Sequence, residues 1–196
     1  MIPAPQALER LREGNRRFVE TGVGSPGRPS AEQRPFAIIL GCSDSRVPAE
    51  LIFSQGFGDL FVIRVAGNIV APSQIGSVEF AAERFDTRLA VVLGHTQCGA
   101  VAATLEQLRQ PQNPQSPNLR SIVDRIRPAV EPLFAQSPAG DAGELAAAAT
   151  RANIRASVRQ LRRGSVLLER HIEKEGLVIV GAEYRVESGV VEFLSE

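Results

Sequence analysis

Two predicted strands in this sequence end in the same way, and side chains that can bind a metal follow each of them. Ile-Ile-Leu-Gly leads into Cys42, and Val-Val-Leu-Gly leads into His95, with Cys98 three residues further on. In open α/β sheets, ligand-binding groups gather beyond the carboxyl ends of the strands. Glycine at each strand end permits a sharp turn or a close approach of the backbone. We therefore expect Cys42, His95 and Cys98 to meet, although about fifty residues separate them.

Two thiolates and one imidazole form a ligand set that suits zinc, a borderline-soft ion with tetrahedral coordination. The sequence contains two cysteines and two histidines in total. A closed site with four such ligands would require His171, which we interpret as a surface or packing residue in a charged helical stretch. Three protein ligands and one open position is the arrangement of catalytic zinc sites. A single buried cysteine or histidine is commonly part of a core, so the prediction depends on their co-occurrence.

Asp44 and Arg46 follow Cys42 closely and add a carboxylate and a guanidinium to the same loop. A carboxylate beside zinc could accept a hydrogen bond from a water on the metal, or it could bind the metal and close the site. A forked, charge-assisted pair with Arg46 would keep Asp44 ionised and orient it. The alternative interpretation is an ordinary salt bridge within a loop.

Short apolar runs alternate with helical patterns and predict the elements that must position these residues. Buried strands are expected at 36–40, 60–65, 89–93 and 177–182, and helices at 74–85, 98–109, 118–134 and 141–174, with a break near Gly164. This alternation predicts a single α/β domain with a central, mostly parallel sheet flanked by helices. A C-terminal hairpin turning at Ser188 and Gly189 should add an antiparallel edge. Residues 5–20 should form an amphipathic helix within an N-terminal arm of about 30 residues.

The composition is typical of one globular domain, with 196 residues, 43% apolar and 22% charged. Basic and acidic residues number 22 each, so we expect no nucleic-acid or membrane partner from bulk charge. We interpret a locally basic segment as a solvated helix face; it contains Arg155, Arg159, Arg162 and Arg163. We expect a cytoplasmic protein, because no stretch resembles a signal peptide, a membrane span or a disulfide scaffold.

At the same residues the sequence closely resembles the β-class carbonic anhydrases. Cys42-Ser-Asp-Ser-Arg46 and His95-Thr-Gln-Cys98-Gly99 are similar to the two signature segments of that family, and Arg64-Val-Ala-Gly-Asn68 resembles the segment between them. The resemblance implies reversible hydration of carbon dioxide to bicarbonate and a proton. It also implies one zinc ion per chain, bound by the two cysteines and the histidine, with Asp44 and Arg46 as the catalytic pair.

The resemblance further implies a set of substrate-binding residues. These are Gln33, Phe61, Phe80 and Gly99. Members of the family are dimers or larger, and their pockets take residues from across the subunit interface. A homodimer or homotetramer is therefore expected, in which Gln33, Phe61 and Phe80 could serve the zinc of a neighbouring subunit. Many members have tyrosine where this sequence has Phe80, so a polar contact is expected to be missing there.

One departure from the family concerns a subgroup that bicarbonate inhibits. That subgroup has a tryptophan three residues before the first zinc cysteine, where this sequence has Ile39 and contains no tryptophan at all. Arg64 and Tyr184 do resemble the other two anion contacts of the subgroup. We therefore expect the subgroup with an open, water-bearing zinc at neutral pH, in which Asp44 could still bind the metal at low pH.

The expected mechanism is zinc-hydroxide catalysis. Zinc lowers the pKa of its bound water from about 15.7 towards about 7, a value known from carbonic anhydrases with three histidine ligands. Two thiolates donate more charge, so we expect ionisation at higher pH and activity that rises into the alkaline range. Asp44 would accept the hydrogen of the hydroxide, and no internal proton shuttle is evident.

Three alternatives use the same residues. The first keeps the metal and changes the substrate to carbon disulfide or carbonyl sulfide. The second is a non-catalytic zinc module that Asp44 closes permanently. The third is a redox pair of Cys42 and Cys98, which the spacing disfavours because such pairs usually occur as Cys-x-x-Cys.

Overall fold

The computed structural model of the chain describes residues 32–136 and 141–195, together with residues 6, 12, 13 and 20. Those four isolated residues are helical. The rest of the helix expected at 5–20 lies outside the described residues, as do residues 22–30. The N-terminal arm therefore stays a prediction.

A five-stranded sheet forms the centre of the fold. Its strands are β1 (Ala37–Gly41), β2 (Leu60–Arg64), β3 (Leu89–His95), β4 (Val178–Tyr184) and β5 (Val191–Leu194). They are arranged in the order β2-β1-β3-β4-β5, and all neighbouring pairs are parallel except β4 and β5. This confirms the predicted α/β fold, with its mostly parallel sheet and its antiparallel edge. Parallel strands are covered on both faces, which explains why their sequences are short, continuous apolar runs.

Six α-helices and one turn of 3₁₀ helix connect the described strands. They are α1 (Ala49–Ile52), the 3₁₀ turn (Ala66–Asn68), α2 (Pro72–Phe85), α3 (Gly99–Arg109), α4 (Pro117–Gln136), α5 (Ala142–Arg163) and α6 (Val166–Lys174). The four predicted helical regions are present, and Gly164 ends α5 where the break was expected. The sequence patterns did not predict α1 or the 3₁₀ turn. None of these helices is both long and apolar enough to cross a membrane.

Local side-chain chemistry explains where several helices begin. Pro72 is the first residue of α2, a position where its missing N–H costs nothing. The Asp141 carboxylate accepts hydrogen bonds from the amides of Gly143 and Glu144 at the start of α5. The Ser165 hydroxyl accepts one from the amide of Leu168 at the start of α6. These caps satisfy backbone donors that have no partner within their own helix.

The central strands β1 and β3 are buried on both faces of the sheet, and every residue of β1 is buried. One core cluster packs β1 and β3 against α2, α5 and α6, and it includes Ile38, Val92 and Ile154. A second cluster covers the opposite face and includes Ile39 and Leu93. Successive residues of a strand therefore point to opposite cores, as the two-residue period of a strand requires.

Two glycines of the sheet allow α5 to lie close against it. A Cβ atom at Gly94 would lie 2.5 Å from Cγ1 of Ile154, and one at Gly181 would lie 2.7 Å from Cγ2 of the same isoleucine. Ile154 is fully buried and cannot move aside easily. The glycine before His95 therefore permits the close approach that the sequence suggested, whereas the sharp turn is not made there because Gly94 lies within β3.

We predict that Gly94→Ala lowers the free energy of unfolding by about 1–3 kcal/mol, because the added methyl group overpacks the core. Denaturant unfolding followed by circular dichroism measures this change. Gly76→Ala is the matched control, since Gly76 lies within α2 and a Cβ atom there meets nothing within 4 Å. The control should be neutral or stabilising by up to about 1 kcal/mol. Equal stability of the two variants would contradict the packing argument.

Candidate metal centre

The structure brings Cys42, His95 and Cys98 together in one buried cluster. Their ligand atoms, two sulfurs and one imidazole nitrogen, all lie within 4.8 Å of one another. No other group of three potential metal ligands of this kind is found among the residues that the structure describes. Both cysteines are free thiols.

Adjacent parallel strands explain why residues so distant in sequence meet here. Gly41 of β1 lies beside Leu93 of β3, so the two strands end almost level. Cys42 directly follows β1, and His95 is the last residue of β3, which is two residues longer than predicted. The chain then turns through Gln97, whose φ of 59° is unusual for a residue other than glycine. Cys98 caps α3 and completes the cluster.

The imidazole of His95 is held in the orientation that a metal ligand needs. Nδ1 lies 2.8 Å from the backbone carbonyl oxygen of Thr96, so Nδ1 carries the hydrogen and donates it there. Nε2 is left with a free lone pair, and it is a buried side-chain atom without a hydrogen-bond partner. A buried polar atom without a partner is costly, and a metal ion would satisfy this one.

Cys42 lies in a cradle that depends on Gly67. The backbone amide of Gly67 donates a hydrogen bond to the Cys42 sulfur at 3.3 Å. Gly67 has a φ of 70°, and a Cβ atom there would lie 2.9 Å from the Cβ of Ala100. The side chain of Asn153 on α5 donates to the Gly67 carbonyl oxygen at 2.8 Å and fixes this turn from behind. The conformation and the close packing thus both require glycine.

The two thiols and the imidazole perturb one another strongly. Hydrogen bonding with the Cys98 thiol, together with His95 and the Gly67 amide, lowers the pKa of Cys42 to about 4 against the opposing effect of burial. The same contact with Cys42, and then burial, raise the pKa of Cys98 above its ordinary range. Burial lowers the pKa of His95, but the nearby Cys42 sulfur and the hydrogen bond to Thr96 outweigh it and give a net increase. A cation that binds thiolate would replace the proton that the two sulfurs share.

Asp44 is held rigidly beside this cluster by Arg46. The guanidinium donates from Nε to Oδ1 at 3.0 Å and from Nη2 to Oδ2 at 2.8 Å, and the Arg46 amide adds a third bond at 2.9 Å. These bonds hold the pKa of Asp44 well below its ordinary value, so it stays ionised. Its Oδ2 lies 3.9 Å from Nε2 of His95. The pair is therefore more than a loop salt bridge, because it points a fixed carboxylate at the edge of the cluster.

Two residues that the sequence analysis did not identify extend this pair. Gln97 accepts a hydrogen bond from Nη1 of Arg46 at 3.2 Å and donates one to Glu187 at 2.6 Å. Glu187 lies in the turn between β4 and β5, and it also accepts from the Thr96 hydroxyl at 3.0 Å. These contacts hold the β4–β5 hairpin against the loop between His95 and Cys98. The only sequence signal for a role of Gln97 is its position between His95 and Cys98, because a glutamine in a loop does not by itself indicate a function.

Arg64, expected as an anion contact, binds backbone in this structure. Its Nε donates to the Cys42 carbonyl oxygen at 3.1 Å, and its Nη2 donates to the Asp44 carbonyl oxygen at 2.6 Å. Arg64 therefore fixes the loop that carries both side chains. Tyr184 lies beside His95 in the register of β3 and β4.

The structure does not bring Gln33, Phe61 and Phe80 to the cluster of the same chain. Phe61 lies beside Ile38, four residues before Cys42, and hence roughly 13 Å from the carboxyl edge. Its ring centroid is 6.1 Å from that of Phe80, which is 54% exposed. Gln33 is exposed and precedes β1.

Two further expected residues lie elsewhere in the fold. Gly99 begins α3 directly after Cys98, and open space surrounds it. His171 is buried, with Nδ1 lying 3.0 Å from Glu175 and 3.2 Å from Nη1 of Arg88. It is therefore a packing residue, in agreement with one of the two interpretations, and it is not on the surface.

These features define a class of protein, namely an α/β protein with a buried cluster of two cysteines and one histidine that is able to hold a metal ion. A family profile described as carbonic anhydrase matches residues 37–191. The carbonic anhydrase of Mycolicibacterium smegmatis is 37% identical over 199 residues, covering 96% of this chain and 92% of that protein. The chain therefore belongs to the β-class carbonic anhydrases and is an enzyme of that family.

Solved structures agree with this assignment. The β-carbonic anhydrase CcaA has a TM-score of 0.82 and 25% identity, covering 97% of this chain and 92% of that one. A structure from work on two tetrameric β-carbonic anhydrases of Sordaria macrospora has a TM-score of 0.75, covering 98% of this chain and 94% of that one. Its identity of 23% makes this second likeness one of fold alone.

We predict that His95→Gln loses bound zinc and that His171→Gln keeps it. Both histidines are buried, but only His95 presents a free nitrogen to two sulfurs. Metal analysis of the purified proteins, with unfolding curves to verify folding, measures the difference. Zinc retained at the wild-type level in folded His95→Gln would contradict the assignment of the cluster.

We also predict that Gln97→Ala lowers kcat/KM for carbon dioxide hydration by about 10- to 100-fold at unchanged zinc content, because Arg46 loses a fixed partner. Gln107→Ala is the matched control, since Gln107 is a half-buried glutamine that bonds to carbonyl groups near the end of α3. Unchanged kinetics in Gln97→Ala would show that its contact with Arg46 has no role in positioning.

Proposed function

We propose that this enzyme catalyses the zinc-dependent, reversible hydration of carbon dioxide to bicarbonate and a proton. One zinc ion per chain would be held by Cys42, His95 and Cys98. The observation that carries this proposal is the buried cluster itself, in which Nε2 of His95 has no partner and faces two coupled thiols beside an ionised Asp44.

The chain supplies the orientation that the reaction needs. Zinc, when bound, would supply the Lewis acidity that allows a water molecule to lose a proton near physiological pH. Asp44 is ionised and can only accept a hydrogen bond, so it selects an oxygen that still carries a hydrogen. Arg46 fixes the carboxylate through two parallel bonds, which removes the cost of orienting it during the reaction.

The position of Asp44 supports a site that is open rather than closed. Three bonds from Arg46 hold its carboxylate in place, and the compact group of three ligands does not include it. Moving Asp44 onto the metal would disturb this fixed geometry. This argument favours an enzyme over the closed zinc module considered from the sequence.

We further propose that the enzyme is a homodimer or homotetramer in which Gln33, Phe61 and Phe80 line the pocket of a neighbouring subunit. Their distance from the cluster of their own chain supports this arrangement, as does the 54% exposure of Phe80. The tetrameric state described for the Sordaria macrospora enzymes is consistent with it. Gly99, beside Cys98, would contact substrate within its own chain. The cytoplasmic location remains an expectation from the sequence.

The test is stopped-flow carbon dioxide hydration on protein of known zinc content, from mildly acidic to alkaline pH. We predict that activity rises with pH and that Asp44→Asn lowers kcat/KM by at least about 100-fold with zinc retained. The pKa of Asp44 is depressed, so its charge is present above the ordinary carboxyl range and lost only in stronger acid. We therefore assign the expected rise in activity to ionisation of the water and not to Asp44.

Asp124→Asn is the matched control, because Asp124 is a half-exposed carboxylate on α4 that also pairs with arginine. It should leave activity unchanged. Full zinc occupancy without hydration at any pH would refute the proposed reaction, and turnover of carbon disulfide or carbonyl sulfide in its place would assign the other substrate class. Full activity of Asp44→Asn would refute the proposed role of the carboxylate.

A further inference from the structure

A pocket of about 210 Å³ lies where α5 crosses β4 and the end of β5, away from the metal centre. Arginine side chains and apolar side chains line it together. The principal lining residues are Arg155, Arg159, Arg162, Val158, Val180 and Leu194. The pocket lies beside Gly181, which pairs with Val92 of β3, three residues before His95. It is therefore separate from the cluster at the carboxyl edge.

The three arginines share one face of α5 because they are spaced four and three residues apart. Arg162 is fixed by two hydrogen bonds to the Ile179 carbonyl oxygen, from Nε at 3.2 Å and from Nη2 at 2.6 Å. A carbonyl oxygen thus orients this guanidinium. Arg155 and Arg159 carry like charges one helical turn apart, which repel each other, so this pair gains stability when an anion lies between them.

The arginines of the pocket differ from a nearby arginine of the same helix, which is paired with carboxylates. Arg151, one turn before Arg155, contacts Glu183 at 3.0 Å and Glu192 at 3.2 Å. Neither Arg155 nor Arg159 has an ion pair with any carboxylate in the part of the chain that the structure describes. Arg155 and Arg159 are exposed, as expected for a solvated helix face, but they also line a concave, partly apolar pocket.

We propose that this pocket binds a small amphiphilic anion. Its carboxylate or phosphate-ester head group would be held by Arg155 and Arg159, whose planar guanidinium groups match both kinds of oxygen anion. A short aliphatic tail would pack against Val158 and Leu194. The volume suits a tail of a few carbons, since sites for larger organic ligands usually exceed about 300 Å³.

Isothermal titration calorimetry of the zinc-loaded protein tests this site with hexanoate and hexyl phosphate as probes. We expect each probe to bind at least about tenfold tighter than acetate or inorganic phosphate, because the shorter anions lack the tail. The tighter of the two probes assigns the head group. Affinity that does not depend on the tail would overturn the proposal.

The variant Arg155→Gln/Arg159→Gln keeps the aliphatic stems and removes both charges. We expect it to weaken probe binding by at least about tenfold while zinc content and hydration activity stay unchanged. Arg163→Gln is the matched control, because Arg163 is exposed on the same helix and does not line the pocket. Wild-type affinity in the double variant would place the anion elsewhere, including at the metal, and would overturn the proposal.

Each readout is calorimetric, so a failure of probe binding can be distinguished from a failure of carbon dioxide hydration.

Discussion

The parallel pairing of β1 with β3 determines the geometry of the metal centre. Because Gly41 lies beside Leu93, the next residues of the two strands emerge at one edge, and Cys42 meets His95 there. A slip of one residue would turn either side chain to the opposite face of the sheet. The register is protected by burial on both faces, since the apolar residues of β1 and β3 alternate between two cores.

The polar groups at this edge of the sheet are buried and therefore need bonding partners. His95 and both cysteines are nearly inaccessible to solvent, and such groups are stable only with partners. The Thr96 carbonyl oxygen accepts a hydrogen bond from Nδ1 of His95, and the Gly67 amide donates one to the Cys42 sulfur, but Nε2 of His95 has no hydrogen-bond partner. A protein that buries a lone pair between two thiols gains stability when a cation binds, so metal binding and folding are coupled here. The charged partners, Asp44 and Arg46, lie outside this cluster, where solvent and substrate can reach them.

Sequence could predict most of the elements and the meeting of Cys42, His95 and Cys98, because both leave short-range signals. Apolar runs mark the strands, and a glycine directly precedes both Cys42, which follows β1, and His95, which ends β3. Sequence could not predict that Arg64 binds two carbonyl oxygens, or that Gln97 joins Arg46 to Glu187. Those contacts join residues from 20 to 90 positions apart and depend on where the hairpin folds back. Periodicity predicts whether a segment is a helix or a strand. Side-chain contacts of this kind depend on where that element packs in the fold.

Helix α5 supports the metal centre through one face and lines the arginine pocket with another. Asn153, Ser157 and Gln160 form a polar row that donates to the carbonyl oxygens of Gly67, Asn68 and Val70. This row fixes the turn whose amide contacts Cys42, so the helix supports the metal centre without supplying a ligand. Two of the pocket arginines lie outside that row and are exposed. Buried polar side chains need fixed hydrogen-bond partners, whereas exposed guanidinium groups do not. One helix can therefore hold the turn beside the metal centre with its polar row and still bind an anion with its exposed arginines.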